Sequence, residues 1–569
     1  MGPRDRALRL VTKRQGSRRF TKLSIPRTSG SAVSGRRLIT GVHLLVHLLV
    51  HLSGHWQGMN PSIRSATGRV HTASGAAPCA ARASVAARLA PVLSLLLTFV
   101  RPAWSAVAEP TSSLHSPLGP VWAWTWVLTM ALISLVLAAY TLRHYIFTLS
   151  RMFGRQRHPY ASIVSANLPH VTIFVAAHNE EAVIEDCLEN LMRVDYPAER
   201  MTIVPVNDRS SDRTREIIDE VSARHPGRIQ AFHRVGGKAG KAAALKDATE
   251  LVKDDFILVF DADYLPSTGL IRRLMAPFFD PEVGAVMGRV VPSNVGANLL
   301  TRLLDLERSG GYQVDQQARM NLGLVPQYGG TVGGVRLSAL RAVGGWHDDV
   351  LAEDTDLTFR LLLGGWRTIY HNRSECYEEV PQSWAVRVRQ IKRWAKGHNQ
   401  AMARHTAALV LKGPVSKAVR LDGVLLLGVY LMAPVLIFGW FVSVLLYFTV
   451  SMQLMAPALV LIMFTAYSAV GNFAAFFEIA AAAYLDRSRN RVRLLAFNML
   501  GFVVSAVAIS QSMIEQVLLD RMPGRTFRWD KTVRYRKPGA TSAASNTATA
   551  SSAGVTQLPG ATSYGATSS

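Results

Sequence analysis

Long unbroken apolar runs occupy both ends of the chain, and short ones occupy its middle. Val121 to Ile146 is apolar for long enough to cross a bilayer, with Trp122, Trp124 and Trp126 at one end and Arg143, His144, Arg151 and Arg155 at the other. From about Pro169 the runs shorten. Val171–Val175 and Met201–Val206 have strand length and composition, and each is followed by helical spacing, Glu180–Met192 and Ser210 to about Arg224. A helix through Val252 then leads into Ile257–Phe260, a short, fully apolar strand. Strands alternating with helices predict an α/β fold on a doubly wound, mostly parallel sheet, with its ligand site at the carboxyl ends of the strands. Beyond Asn399, Val424 to Tyr484 has room for two membrane spans and Leu494 to Leu519 for another.

The flanks of these runs predict topology. Positive residues after Val121–Ile146 place the α/β region in the cytoplasm, and Asp486–Arg493 is a basic loop expected on that same side. Arg521–Lys537 also reads as cytoplasmic, so parity does not close with one span between them. Either Leu494–Leu519 is re-entrant or hairpinned, or one side breaks the rule. Nearer the start, Arg82 and Arg88 precede the apolar core Leu89–Val100, and Ala106-Val107-Ala108 supplies small residues, the layout of a signal peptide or an uncleaved first membrane helix over 81–108. Residues 1–80 are basic and read as disordered or as a start assigned too early. His43, His47 and His51 repeat there every fourth residue, but with no carboxylate or cysteine nearby a metal site is not expected. From Ala540 the Ser/Thr/Ala/Gly composition predicts a disordered tail.

Charge sharpens this picture. Of the net +24, residues up to Ala108 carry +15 and those from Asp520 onward +5, which leaves +4 for the middle. The excess flanks apolar segments and is not interleaved with aromatics, so a nucleic-acid partner is not expected. Cys79, Cys187 and Cys376 are too far apart for a disulfide framework or metal site and read as small buried residues.

The candidate chemistry gathers at strand ends. Asp261 and Asp263 close the Ile257–Phe260 strand at i, i+2; two hard oxygen ligands there suit Mg²⁺ or Mn²⁺ carrying a diphosphate, although an Asx-turn explains the pair equally simply. Asn179 and Glu180 follow the first strand, and Asp208 follows the second, able to accept from a base or ribose or merely to cap. Gly236-Gly-Lys-Ala-Gly-Lys241, which includes Lys238, sets N–H groups and ammonium charges at a helix start and suits an anion, without Walker A spacing. The glycines of Tyr328–Gly334 would allow close backbone approach, as to a sugar. Glu353, Asp354 and Asp356 precede the amphipathic run Leu357–Leu363, where capping competes with catalysis. Gln390, Arg393 and Trp394 share a helical face that could hold a diphosphate and stack a ring, or lie on a membrane surface.

Asn179-Glu180, Asp208, the Lys238 loop, Asp261-x-Asp263, Glu353-Asp354 and Gln390-x-x-Arg393-Trp394, in this order between membrane helices, resemble the processive family 2 glycosyltransferases, the cellulose, hyaluronan, chitin and poly-N-acetylglucosamine synthases. The resemblance covers about Pro169 to Asn399 and the membrane layout. It implies a GT-A fold over 165–400, cytoplasmic and set between the N-terminal helix and a C-terminal transmembrane region, 421–519. It implies that Asp208 and Asp261 contact uridine nucleotide, Asp263 binds the divalent metal, and Asp354 is the general base. Asn179, Glu180, Lys238 and Glu353 would join the substrate site, while Gln390, Arg393 and Trp394 would hold diphosphate and acceptor sugar. Ala352 stands where such enzymes commonly have Thr, and His178 where Tyr is frequent; neither removes a group the reaction requires. The implied protein is a multi-pass inner-membrane, inverting enzyme that extends a β-linked polysaccharide from a UDP-sugar, with membrane lipid around it and accessory export or small membrane subunits as partners. A single-addition enzyme acting on a lipid is the near alternative. A nucleotide-sugar-sensing transporter is the distant one, and it would require intramembrane ionisable residues beyond Glu478 and Glu515.

Overall fold

The structure is a computed structural model that describes residues 119–160, 163, 168–411, 413, 415–449, 473–487, 489–518 and 535. The expectations for residues 1–108, the three N-terminal histidines, Cys79, most of Arg521–Lys537 and the tail from Ala540 lie outside the described residues.

The apolar runs at Val171, Met201 and Phe256 become β1 (Val171–Ala177), β2 (Met201–Asp208) and β4 (Phe256–Asp261). β1 pairs in parallel with both others, Val171 opposite Met201 and Thr172 opposite Ile257, and β3 (Phe232–Arg234) extends this half beside β2. Ile257, Leu258, Val259 and Phe260 are fully buried, as an unbroken apolar run requires of a strand covered on both faces. Helices α1 (Pro120–Phe153), α2 (Ile184–Leu191), α3 (Thr214–Arg224) and α4 (Lys241–Thr249) fall where the helical spacing lies, two of them with later starts than the sequence suggests.

The other half of the sheet keeps the pairing mostly parallel, as expected, and brings in antiparallel neighbours that make the sheet mixed. The strand order is β3-β2-β1-β4-β7-β6-β8-β5, a single eight-stranded mixed sheet. β6 (Val283–Pro292) and β8 (Arg367–Glu378) pair in parallel, whereas β7 (Gly333–Arg336) runs antiparallel to both β4 and β6, and β5 (Leu265–Pro266) antiparallel to β8. The glycine cluster, expected to make room for a sugar, makes room for this strand. A Cβ on Gly334 would lie 2.3 Å from Leu258 Cδ2 and 2.5 Å from the Ile257 carbonyl oxygen, and one on Gly333 2.4 Å from the Val286 carbonyl oxygen. A strand without side chains at those positions carries no period-two signal, so its pairing is invisible in the pattern.

Between β6 and β7 lie α5 (Leu299–Ser309), a π-helical stretch Gly310–Gln316 and α6 (Gln317–Leu322), a continuous rod whose widened turn faces the site. After β7, α7 (Glu353–Leu363) carries the acidic cluster, and α8 (Trp384–Leu411) follows β8. α9 (Lys417–Leu427), α10 (Met432–Thr449), α11 (Phe473–Leu485) and α12 (Leu495–Leu518) complete the described chain. Three segments, Val121–Phe153, Val429–Leu446 and Arg491–Leu518, are long and apolar enough to cross a membrane; Ala474–Leu485 is apolar but shorter. α12 is one continuous helix, so the hairpin reading of Leu494–Leu519 is corrected.

Charges fasten these helices to the sheet domain. Arg143 of α1 meets Asp422 of α9 at 2.9 Å and Asp315 of the π-helical stretch at 3.1 Å, and Arg319 of α6 meets the same two aspartates at 2.7 Å each. Two largely buried cations shared between two acids leave no charge unpaired, which burial demands. Likewise Lys392 and Lys396 of α8 bracket Glu515 of α12 at 2.8 and 3.3 Å, and Asn399 donates to Gln516 at 3.0 Å.

Candidate active site

The sheet topology brings the ends of β1, β2 and β4, the first turn of α7 and one face of α8 around one cavity of about 920 Å³. Its lining includes Glu180, Asp208, Lys238, Asp261, Asp263, Glu353, Asp354, Gln390, Arg393 and Trp394. Every site residue expected from the sequence is therefore in it except Asn179, which instead ties its floor together. Asn179, at φ 56°, accepts from the Ser211 backbone N–H at 2.7 Å, and its own N–H donates to Ser210 Oγ at 2.9 Å, so the turns after β1 and β2 brace each other. The buried neighbour Glu180 is fixed by its backbone N–H to Thr214 Oγ1 at 2.7 Å.

At the end of β2 Asp208 is already well satisfied. It accepts from Arg234 Nη1 at 2.6 Å and Arg209 Nε at 3.0 Å, and from the Gly240 backbone N–H at 2.8 Å. Its carboxylate thus pins the glycine-lysine loop over the cavity. Of the two lysines in that loop, Lys238 points to the rim, 3.4 Å from Asp348, with just over half of its side chain exposed. Lys241 goes inward and pairs with Asp261. Burial opposes its charge, but Asp261 above all, then Glu353 and Asp354, outweigh it and hold the ammonium above its ordinary range. Sequence reasoning favoured Lys238 and missed Lys241. The available signal was position, because Lys241 opens α4 itself and its side chain must follow the helix.

Asp263 is buried and accepts from the Glu379 backbone N–H at 3.4 Å. Among the described residues no group of three or more His, Cys, Asp or Glu is arranged to hold a metal. Asp261 and Asp263 nonetheless form a donor set that fits Mg²⁺ or Mn²⁺ arriving with a diphosphate, since such an ion takes one or two carboxylates and fills its shell with phosphate oxygens and water.

At the centre, Glu353 and Asp354 open α7. Burial, with Asp354 adding to it, pushes the Glu353 carboxyl up to about 7. Asp354 Oδ1 accepts from the Thr355 backbone N–H at 2.6 Å, so it does cap its own helix, while Asp354 as a whole lines the cavity. A Cβ on Gly330, itself at φ 69°, would lie 3.1 Å from Asp354 Cβ; this is the glycine of the cluster that lets backbone come close to the site. Asp356 faces the other way. It is fully buried against His405 at 2.8 Å, His347 at 2.9 Å and Arg360 at 2.7 Å.

A further wall of the cavity comes from α8. Gln390 Oε1 accepts from Arg387 Nη1 at 2.8 Å, and the Trp394 ring lies 5.1 Å from the Arg308 guanidinium and 5.2 Å from that of Arg387. Trp394 is thus already engaged by two cations, a use of its ring that helical spacing did not reveal. Arg393 lines the cavity and has no ion-pair partner among the described residues, as a group reserved for an anionic ligand would. Arg308, not anticipated from the sequence, is held by Glu378 at 2.5 Å, whose other oxygen accepts from Tyr264 at 2.8 Å. The cavity ends on Leu426, Val429 and Tyr430, at the root of the Val429–Leu446 segment.

Residues 169–397 match the family model described as glycosyltransferase like family 2. A β-monoglucosyldiacylglycerol synthase of Synechocystis sp. is 34% identical over 41% of this chain and 48% of its own length. A probable glucomannan 4-β-mannosyltransferase of Arabidopsis thaliana is 29% identical over 44% of this chain and 46% of its own. The chain thus spans about half the length of these curated relatives. Among solved structures, mannosyltransferase PcManGT from Pyrobaculum calidifontis, in complex with GDP-Man and Mn²⁺, is 20% identical with a TM-score of 0.46, covering 69% of this chain and all of that one.

Proposed function

We propose that the family 2 glycosyltransferase domain formed by residues 169–397 makes this chain an inverting transferase that takes a sugar from UDP and adds it to a growing β-linked polysaccharide at the membrane. The observation that carries this is the single cavity. It joins the carboxylates after β4, the acidic turn of α7 and the Gln390–Trp394 face of α8, and it ends at a helix apolar enough to enter a bilayer. The reaction assigns each group a task. Asp354 removes the proton from an acceptor hydroxyl, the freed oxygen attacks the sugar's C1 from the face opposite the diphosphate, and the bond from C1 to the diphosphate oxygen breaks. Lys241 and Arg393 supply cationic charge where negative charge collects on departing UDP. A divalent ion held by Asp263 and Asp261 would add to that neutralisation when bound. Asp208 would set the loop against the nucleotide, and Gln390, Arg393 and Trp394 would hold diphosphate and chain end. The catalytic domain would face the cytoplasm of a cell whose inner membrane the flanking helices span.

A second reading, transfer of one sugar to a lipid, is favoured by a specific feature. The cavity meets the membrane helices on aliphatic groups, Leu426 and Val429, which suit an acyl chain better than a sugar. The glycolipid synthase among the relatives supports the same reading. Membranes carrying the protein, given a panel of UDP-sugars, decide between them. Acceptor-dependent UDP release with a product that grows in length supports polymerisation, and a lipid-soluble product carrying one sugar supports the second reading. Absence of UDP release with every donor rejects both.

A further inference from the structure

His398 belongs to no motif that the sequence brought forward, yet it stands on the same face of α8 as Gln390 and Trp394, four residues apart in each step, and lines the cavity with them. Its imidazole edge packs on the Tyr430 ring, 4.8 Å between centroids, which fixes the ring plane. Its Nε2 lies 3.4 Å from Thr355 Oγ1 and 3.4 Å from Gln327 Nε2. Gln327 Nε2 donates to Thr355 Oγ1 at 2.8 Å. Thr355 in turn holds Asp354, through its backbone N–H at 2.6 Å and its hydroxyl at 3.3 Å, both to Oδ1. Thr355 is fully buried, so its hydroxyl has no water to turn to. Three elements therefore meet on one side chain. Gln327 Nε2 donates to the Thr355 hydroxyl, His398 protonated at Nε2 faces the second lone pair of the same oxygen, its Nδ1 having no hydrogen-bond partner among the described residues, and the single Thr355 proton is left for Asp354 Oδ1.

We propose that His398 is a positioning residue for sugar transfer: acting through Thr355, it holds the Asp354 carboxylate with Oδ1 engaged and Oδ2 turned to the acceptor hydroxyl. This rests on Asp354 being the base. The chemistry of the proposal is that of alignment. A carboxylate on the first turn of a helix can rotate about χ1 and χ2 between capping and facing the cavity, and a second anchor selects one rotamer. A misplacement of about 1 Å at a catalytic group can cost about 100-fold in rate, so the anchor matters even though His398 touches no substrate. The imidazole suits the role because burial pulls its proton affinity below the ordinary histidine range, so the ring is neutral and brings no second charge beside Asp354. The arrangement also couples α8, the helix bolted to the membrane span α12, to the turn that carries the base.

The test uses the full-length protein in membranes or detergent and reads kcat, donor KM and UDP affinity separately. His398→Leu is expected to lower kcat by about 10- to 100-fold with donor KM and UDP affinity within about twofold of wild type. His398→Gln, whose amide N–H can reach the Nε2 position and donate to Thr355 Oγ1, is expected to recover at least about a third of wild-type kcat. Thr355→Val removes the intermediate hydroxyl at nearly constant volume, and its loss should not add to that of His398→Leu, because both cut one connection. Unchanged kcat in His398→Leu overturns the proposal, as do equal losses in the Gln and Leu variants or full additivity with Thr355→Val. If His398→Leu does not fold, the Gln variant and Thr355→Val alone decide, and wild-type kcat in Thr355→Val overturns it. A separate Asp354→Asn variant distinguishes the two levels: full activity there removes the base, whereas an inactive Asp354→Asn with a normal His398→Leu removes only the positioning role.

Discussion

Two aspartates two positions apart in α7 show how burial decides what a carboxylate does. Asp354 faces the cavity and spends one oxygen on its own helix start, a bond an asparagine oxygen keeps. Asp354→Asn should therefore preserve folding and UDP-sugar binding while lowering transfer by about 10²-fold or more, the usual scale for losing a general base. Transfer near the wild-type rate would leave the residue as a cap alone. Asp356 was the natural control from sequence, being adjacent and chemically alike, but the structure makes it a poor one. Burial works against its charge, yet bonds from His405 and Arg360 outweigh it and hold the carboxyl down at about 2, below its ordinary 3.8. A carboxylate depressed in this way contributes stability that is complete above its unfolded value and drains away as pH falls from about 4 towards 2. Asp356→Asn removes the negative charge that faces the largely buried His405 and Arg360 side chains, and a loss of about 3 kcal/mol or more in unfolding free energy is expected. Denaturant unfolding at neutral pH checks it, and a stability unchanged from wild type would show the cluster contributes nothing net.

At the scale of single elements, β7 is the piece on which the site's geometry turns. It separates β4 from β6 and β8, and Thr331, two residues before it in the loop, accepts the Asp261 backbone N–H through its hydroxyl at 3.2 Å. Gly334→Val would place a branched side chain where Leu258 and the Ile257 carbonyl already sit. Overpacking of this kind costs about 1–3 kcal/mol, and here it must move β7 relative to β4 and with it the contact at Asp261. The expected result is a lower melting temperature together with weakened UDP affinity. A variant that melts like wild type would mean the strand is free to shift. The segments whose type was legible without the fold, β1, β2, β4 and α1, have one local pattern sustained over their length. β7 and the π-helical turn do not, because their identity depends on partners far away in sequence.

For the molecule as a whole, ion pairs among the described residues join the sheet domain to the apolar helices, Arg143–Asp315 and Lys392–Glu515 with Arg289–Asp486 and Arg491–Asp305 beside them. The basic flank of α1 predicts that this domain is cytoplasmic, the side on which the proposed UDP-sugar donor would be met. A single-cysteine variant at Ala223, exposed on α3 beside the buried Ser222 hydroxyl, should resist a membrane-impermeant thiol reagent in intact cells and react after lysis. Labelling before lysis would reverse the orientation. Arg143 shows why flank counting is an incomplete guide: the same residue that orients α1 is consumed by Asp315 and Asp422, so part of the positive excess is internal structure.

By itself the sequence determined the alternation of strands and helices, the apolar segments at either side, and the residue types at strand ends, because each is a local pattern that short-range sterics and solvation impose. Of the binding, metal and base residues it proposed, all but Asn179 line a common cavity, since topology forces parallel strand ends together. Only the tertiary structure decided that the sheet is mixed, that Lys241 and not Lys238 meets the carboxylates, that Trp394 is held by Arg308 and Arg387, and that Asp356 is buried while Asp354 is not. Each of those turns on which distant side chain arrives within a few ångströms, and the free energy of burying a charge or closing a strand pair is set by that arrival, not by the residue's neighbours in the chain.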